Sequence, residues 1–298
     1  MGANRLKVAV TGSTGFLGSA LSKELEQRGH QVLPISRSAS SALDWSVEGG
    51  FASADAVRQL DAVIHLAGEP VTGRWNVEKK RRMKDSRVLS TRRMAEQLAD
   101  CASPKRFVVA SAVGYYGDRG DEILTEDAPP GQGFLAELAV AWEAAAEPAK
   151  QAGHRVVHLR TGIVLSPQGG ALAQMLPIFR LGLGGKLGSG RQYMPWISLR
   201  DWVRMATEAL QNEAWMGPYN LTAPNPVRNS EFTRALAQSL GRPAFLSVPA
   251  FALKMLYGEF AEEGLLASQR VVPQKALDQG FSFEDEEISE TLRRMRNT

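Results

Sequence analysis

The 298-residue sequence has one cysteine, Cys101, so it can form no internal disulfide and offers no thiolate cluster for zinc. It also lacks a charge excess: 35 basic against 32 acidic residues leave +3, scattered along the chain, which argues against a nucleic-acid partner. No apolar run approaches the roughly 18 to 20 residues that a membrane span needs. MGANRLKVAV passes directly into a strand pattern rather than a leader, so the expectation is a cytoplasmic chain with no metal and no membrane partner. With 44% apolar residues the chain can bury a large core.

What is present is alternation. Apolar β-branched runs at 6–10, 30–38, 62–68, 106–114 and 154–165 are separated by helical patterns, notably 76–102 and 132–152. Strands alternating with helices predict an α/β fold: a Rossmann-type, doubly wound parallel sheet over residues 1–165. A small, mainly helical substrate lobe should follow over 166–298, with an extension from about 245 and some later elements returning to the first domain. Ser198 and Asp201 have the spacing of a helix cap, residues 219–222 read as one more strand, and glycines 182–190 suggest a turn or lid.

Between the first strand and first helix stands TGSTGFLG, residues 11–18. Its glycines permit a tight turn, bring backbone amides to a pyrophosphate and let helix pack on strand; the helix N-terminus then favours the phosphate charge. Gly12, Thr14, Gly15, Phe16, Leu17 and Gly18 are therefore expected to bind a dinucleotide. The second strand ends Ile35-Ser36-Arg37-Ser38, with no acid to accept from a ribose 2′-OH, so Arg37 and Ser38 predict a 2′-phosphate and NADP(H). Asp44 keeps NAD open. Leu66, Ala67 and Gly68 at the next strand end should approach the adenosine half, whereas His65 reads as an interior histidine with satisfied hydrogen bonds. Ser111 and Arg160 end two further strands and complete the expected cofactor set.

TGSTGFLG, VIHLAG, VVASAVGYYGD, and HLRTGIVL followed by WISLRDWV together resemble the extended short-chain dehydrogenase/reductase superfamily of NAD(P)-dependent epimerases and dehydratases. GEPVTGRW, FLAELAVAWEAAA and VPAFALKMLYGE are similar to an epimerase-like subfamily with a C-terminal domain of unknown function. The resemblance implies a tyrosine, a lysine four residues later and a serine that manage the substrate proton while hydride moves. Leu135, Ala139 and Ala112 stand at those places, and Arg87 where an asparagine is common. Tyr115 and Tyr116, at a strand end, are the replacement acids expected here; Glu69, Asp118 and Glu137 read better as solvated charges.

The basic stretch 74–93 is interleaved with Val77, Met83 and Val88, the pattern of an amphipathic helix with one solvated face, though Arg74, Lys84 and Arg87 are available to an anionic substrate. Trp75, Tyr193, Trp196 and Trp202 are candidates to line a cleft. The expected function is an oxidoreductase or epimerase acting on a small molecule, with anionic and sugar-like ones as the candidates, as monomer or homodimer; a noncatalytic NADP(H)-dependent binding or regulatory module is the alternative.

Overall fold

A computed structural model of the chain describes residues 5–36, 43–103 and 105–296. Its centre is an eight-stranded sheet made of β1 (Lys7–Thr11), β2 (Gln31–Ser36), β3 (Leu43–Ser46), β4 (Gly50–Phe51), β5 (Ala62–His65), β6 (Arg106–Ala112), β7 (Arg155–Thr161) and β8 (Gly217–Leu221). The spatial order is β8-β7-β6-β5-β1-β2-β3-β4, parallel throughout except for the β3–β4 pair. Fully buried runs such as Val8-Ala9-Val10 and Ala62-Val63-Ile64 are what a sheet covered on both faces demands. One apolar layer holds Val10, Ile64 and Trp202; the other holds Ala9, Val63, Phe107 and Trp142.

The chain departs from β1 toward β2 on one side and resumes at β5 on the other. That reversal opens a crevice beyond the carboxyl ends of β1 and β5, where ligands bind in open α/β sheets. Helix α1 (Phe16–Gln27) leads away from the crevice. The long helix expected over 76–102 is interrupted: α2 (Val77–Lys84) passes through a π turn, Asp85–Leu89, into α3 (Ser90–Ala99). The segment 132–152 likewise divides, into α4 (Phe134–Ala144) and a short helix, Glu147–Gln151, whose proline stands in its first turn.

The run 154–165 is not one strand. At Gly162 a β-carbon would lie 3.0 Å from Thr222 Cγ2 and press on the Pro195 carbonyl, and beyond this glycine Ile163–Ser166 leaves the main sheet to pair with Trp196–Ser198. Helix α5 (Leu199–Gln211) returns to pack on α1, and β8 completes the sheet beside β7. Ser198 Oγ accepts from the Asp201 amide at 3.1 Å, but the buried Asp201 carboxylate turns away to accept from the Glu284 and Asp285 amides, anchoring the C-terminal tail. Helices α6 (Asn229–Leu240), α7 (Ala250–Tyr257) and α8 (Ile288–Arg296) build the remaining lobe.

Candidate functional site

The turn after β1 fits the phosphate-cradle role in three ways. Gly12 has φ 68°, and a β-carbon there would stand 3.2 Å from the Ala67 nitrogen. The Gly15 amide donates to Gly12 O at 2.9 Å, tightening the loop. At Gly18, which faces that loop from the first turn of α1, a β-carbon would lie 2.7 Å from the Gly12 carbonyl carbon and 2.9 Å from Ser13 Cα. Helix α1 begins at an N-cap glycine with no side-chain cap and no acid in its first turn. Its first amides and positive dipole end are thus free for an anion. Thr14 and Gly15 are exposed at this end, while the Phe16 ring packs against Gly169 and Gly170. Arg37 and Ser38 lie outside the described residues.

Across the crevice, Thr11 Oγ1 accepts from the Leu66 and Ala67 amides at 3.0 and 3.1 Å. Its own proton is then directed to His65 Nδ1 at 2.7 Å, so that Nε2–H donates to Ser90 Oγ at 2.8 Å and Ser90 donates to Ser86 O. Burial, reinforced by Arg87, lowers the His65 pKa to about 3 and keeps the ring neutral. His65 is therefore a core histidine that fixes the β5 end. Arg87, in the π turn, reaches the same place. A β-carbon on Gly68 would be 3.0 Å from the Arg87 Cζ, and Arg87 donates to Glu69 O at 2.9 Å. Burial brings its pKa down to about 10, so it stays cationic at neutral pH.

The groups at the ends of β6 and β7 form one network. Glu143, two turns along α4 from Leu135, accepts from Ser111 Oγ at 2.7 Å and from Arg160 Nε and Nη2 at 2.8 and 2.9 Å. Burial would push the Glu143 carboxyl up, but Arg160, with help from Ser111, holds it below the usual carboxylate range. Ser111 and Arg160 are accordingly engaged by Glu143 rather than turned to a cofactor. Arg160 Nη1 also donates to the Tyr116 hydroxyl at 2.9 Å, and Tyr116 donates to Asn220 Oδ1 at 2.7 Å. Tyr116 has no exposed surface, and burial raises its pKa to about 12; it is a structural strut with no route to a substrate. Tyr115 differs. It is half-buried, its ring lies 3.6 Å from the Arg160 guanidinium, and its hydroxyl makes no hydrogen bond among the described residues.

Leu135 packs against Gly114, within an apolar cluster that includes Trp75, Met83 and Phe260, and Ala139 is buried. The C-terminal lobe caps this helix: Glu263 accepts from the Phe134 and Leu135 amides at 3.1 and 2.7 Å. Glu263 escaped the sequence reading because no local signal links it to residues so far upstream. Trp75 joins Phe134 and Phe260 at ring separations of 5.3 and 5.9 Å, so it seals the lobe contact, and Trp196 and Trp202 are core residues rather than cleft lining. Tyr193 alone of the four keeps a partly open face, between Arg228 and Arg270.

Of the loop acids, Glu69 pairs with Arg82, Asp118 accepts from the Ser268 and Gly120 amides, and Glu137 is exposed. Much of the basic stretch is neutralised by Glu78, Asp85, Glu96 and Glu259. Between the 118–121 loop, the glycine-rich segment and the C-terminal lobe lies a cavity of about 600 Å³, bordered by the cations Arg191, Arg228 and Lys254 and the acids Asp118, Asp121 and Glu262. Its size suits a small molecule. Among the described residues no cluster of histidine, cysteine and carboxylates could hold a metal, and no helix is long and apolar enough to cross a membrane.

Comparison with known proteins adds relatives to this geometry. The NAD dependent epimerase/dehydratase family model matches residues 8–221, and a domain of unknown function, DUF1731, matches residues 248–295. An epimerase family protein of Mycobacterium bovis, Mb2239, is 45% identical over 96% of each chain. The crystal structure of human epimerase family protein SDR39U1 with NADPH superposes with a TM-score of 0.88 at 33% identity, covering 98% of this chain and 99% of that one. A nucleoside-diphosphate sugar epimerase from Corynebacterium glutamicum gives 0.82 at 34% identity, over 97% of this chain and 58% of the other.

Proposed function

The chain belongs to the NAD dependent epimerase/dehydratase family, and we propose that it is an NADP(H)-dependent oxidoreductase or epimerase-like enzyme of the cytoplasm, acting on a small anionic or sugar-like molecule. The observation that carries the cofactor reading is the Gly18 contact. No side chain fits between α1 and the turn, so the uncapped helix end is held where a pyrophosphate would meet it. NADPH in the human relative's structure supports the same choice, as does Arg37 in the sequence.

When bound, the nicotinamide supplies or accepts hydride. The chain's own part is to hold the substrate oxygen and handle its proton. Tyr115 is proposed for that task because its hydroxyl is uncommitted and its ring is oriented by Arg160, which Glu143 fixes in turn. Arg87 beside Gly68 is the cation proposed to attract an anionic ligand, since Arg228 is already paired with Asp121 at 2.9 Å. The apolar setting of Leu135 and Ala139 favours a second reading, a binding module in which cofactor occupancy is sensed rather than turned over.

Titration with NADPH and NADH, followed by hydride loss against aldehydes, ketones and nucleotide sugars, separates the two. Turnover that falls about 10²- to 10⁴-fold in Tyr115→Phe, with NADPH affinity kept, supports the enzyme. Tight NADPH binding without turnover across the panel moves the assignment to the module. Equal losses of NADPH and NADH affinity in Arg37→Glu sink the 2′-phosphate assignment, and failure to bind either cofactor refutes the whole proposal.

A further inference from the structure

The C-terminal lobe carries an apolar surface that neither the cofactor crevice nor the cavity uses. Leu181 is 74% exposed, Phe245 82%, Phe251 71% and Met255 67%, with Ile178, Leu183, Leu246 and Leu256 exposed beside them in sequence. These residues come from two stretches that meet in space. Strand Gly185–Leu187 pairs with Leu246–Val248, and a β-carbon on Gly182 would lie 3.5 Å from the Pro243 ring. Phe251 and Met255 are one helical turn apart on α7, while Leu253 on the other side is buried. Side chains of this size offer on the order of 1,000 Å² of apolar surface, more than monomers usually leave open.

Charge decides what covers it. The sequence contains no Asp or Glu from residue 148 to 200 and none from 232 to 258, and the exposed acids that follow α7, Glu259 and Glu262, are taken up by Lys80 and Lys254. The same stretches carry Arg180, Lys186, Arg191, Arg234, Arg242 and Lys254, all exposed. Only Lys254 has a carboxylate partner among the described residues, Glu262 at 2.8 Å. A second copy on this face would set cations against cations if the contact were two-fold. An anionic surface would not, and exposed phenylalanine, leucine and methionine beside lysine and arginine are the chemistry of an interfacial membrane contact.

We propose that this face docks peripherally on an anionic lipid bilayer, with α7 and the 181–183 turn in the headgroup region and Lys186 and Arg242, which flank the paired stretches, over the lipid charges. This revises the expectation of no membrane partner without calling for a spanning helix. Docking would bring the bilayer to the cavity rim, since Ala250 and Lys254 of α7 border the cavity.

The test is co-sedimentation of the full chain with vesicles of phosphatidylcholine alone or with phosphatidylglycerol added. Binding should require phosphatidylglycerol, weaken with salt and fall about fivefold for each of Lys186→Gln and Arg242→Gln, the equivalent of about 1 kcal/mol per cation. Phe251→Ser with Leu256→Ser should abolish it while NADPH binding and thermal stability stay unchanged, because both side chains are exposed. Absence of binding to phosphatidylglycerol vesicles at low salt overturns the proposal. So does binding that ignores all four substitutions, or a dimer in sedimentation velocity that Phe251→Ser with Leu256→Ser dissolves. None of these outcomes depends on whether the chain turns over a substrate.

Discussion

Replacing Glu143 by glutamine removes a charge at the node of the β6–β7 network while keeping its shape. Arg160, with 4% of its side chain exposed, would be left with a neutral partner in place of a bidentate carboxylate at 2.8 and 2.9 Å. Breaking a buried pair from one side typically costs about 3–5 kcal/mol, because the remaining charge loses its compensation. The amide oxygen still accepts from Arg160, so the low end, about 3 kcal/mol, is expected. For 298 residues the unfolding entropy is about 0.6 kcal/mol per degree, which converts the loss into a Tm lower by about 5 °C.

The pH dependence carries a sign. Since the folded-state Glu143 pKa is depressed, its stabilisation is present above the ordinary carboxylate value of about 4.3 and fades as pH falls through the lower folded value. The gap between wild type and Glu143→Gln should therefore narrow as pH falls below the ordinary carboxylate value of about 4.3. Thermal and urea melts at several pH values measure it, and a double-mutant cycle with Arg160→Met isolates the pair: Glu143→Leu with Arg160→Met should cost less than the sum of the single changes. A Tm change under about 1 °C at pH 7, or strict additivity in the cycle, refutes the argument.

Three further outcomes follow from the same contacts. Gly18→Ala should lower stability by about 1–3 kcal/mol through overpacking and cut NADPH affinity at least about tenfold, whereas Gly29→Ala, with φ 87° but open space around it, should cost stability alone; calorimetry on both tests this. Glu263→Ala should lower Tm by about 1–2 °C and speed hydrogen exchange at Phe134 and Leu135, and unchanged exchange there would dismiss the cap. Because the folded-state His65 pKa is lowered to about 3, the unfolded chain takes the proton first and stability falls as pH drops below about 6.5; His65→Gln should flatten that slope by up to about 1.4 kcal/mol per pH unit, and an unaltered slope would contradict the neutral assignment.

The parts of the site that were legible in the sequence are those built within a few residues. TGSTGFLG specifies a strand end, a turn and a helix start together, and its glycines are needed for contacts made mostly inside the motif, such as Gly18 on Gly12. His65 read as a core residue because it sits in an apolar run, and its partners Thr11 and Ser90 satisfy it there. The network at the ends of β6 and β7 is assembled differently. Ser111 meets Glu143 across 32 residues, Tyr116 meets Asn220 across 104, and Leu135 meets Glu263 across 128. No spacing rule reaches so far, so strand-end position alone made Ser111 and Arg160 look free for a cofactor and made Tyr115 and Tyr116 look equivalent.

The same non-local pairs account for the apolar face of α4. Leu135 and Ala139 give α4 its packing, and Glu263 from the C-terminal lobe ties down its N-terminus. Glu143 meanwhile commits Arg160, whose guanidinium packs on the Tyr115 ring. If Tyr115 is the proton donor, its precision is inherited from Glu143 through Arg160. Turnover should then fall in Glu143→Gln even at temperatures where the variant is fully folded, while Tyr116→Phe lowers stability and affects turnover less than Tyr115→Phe.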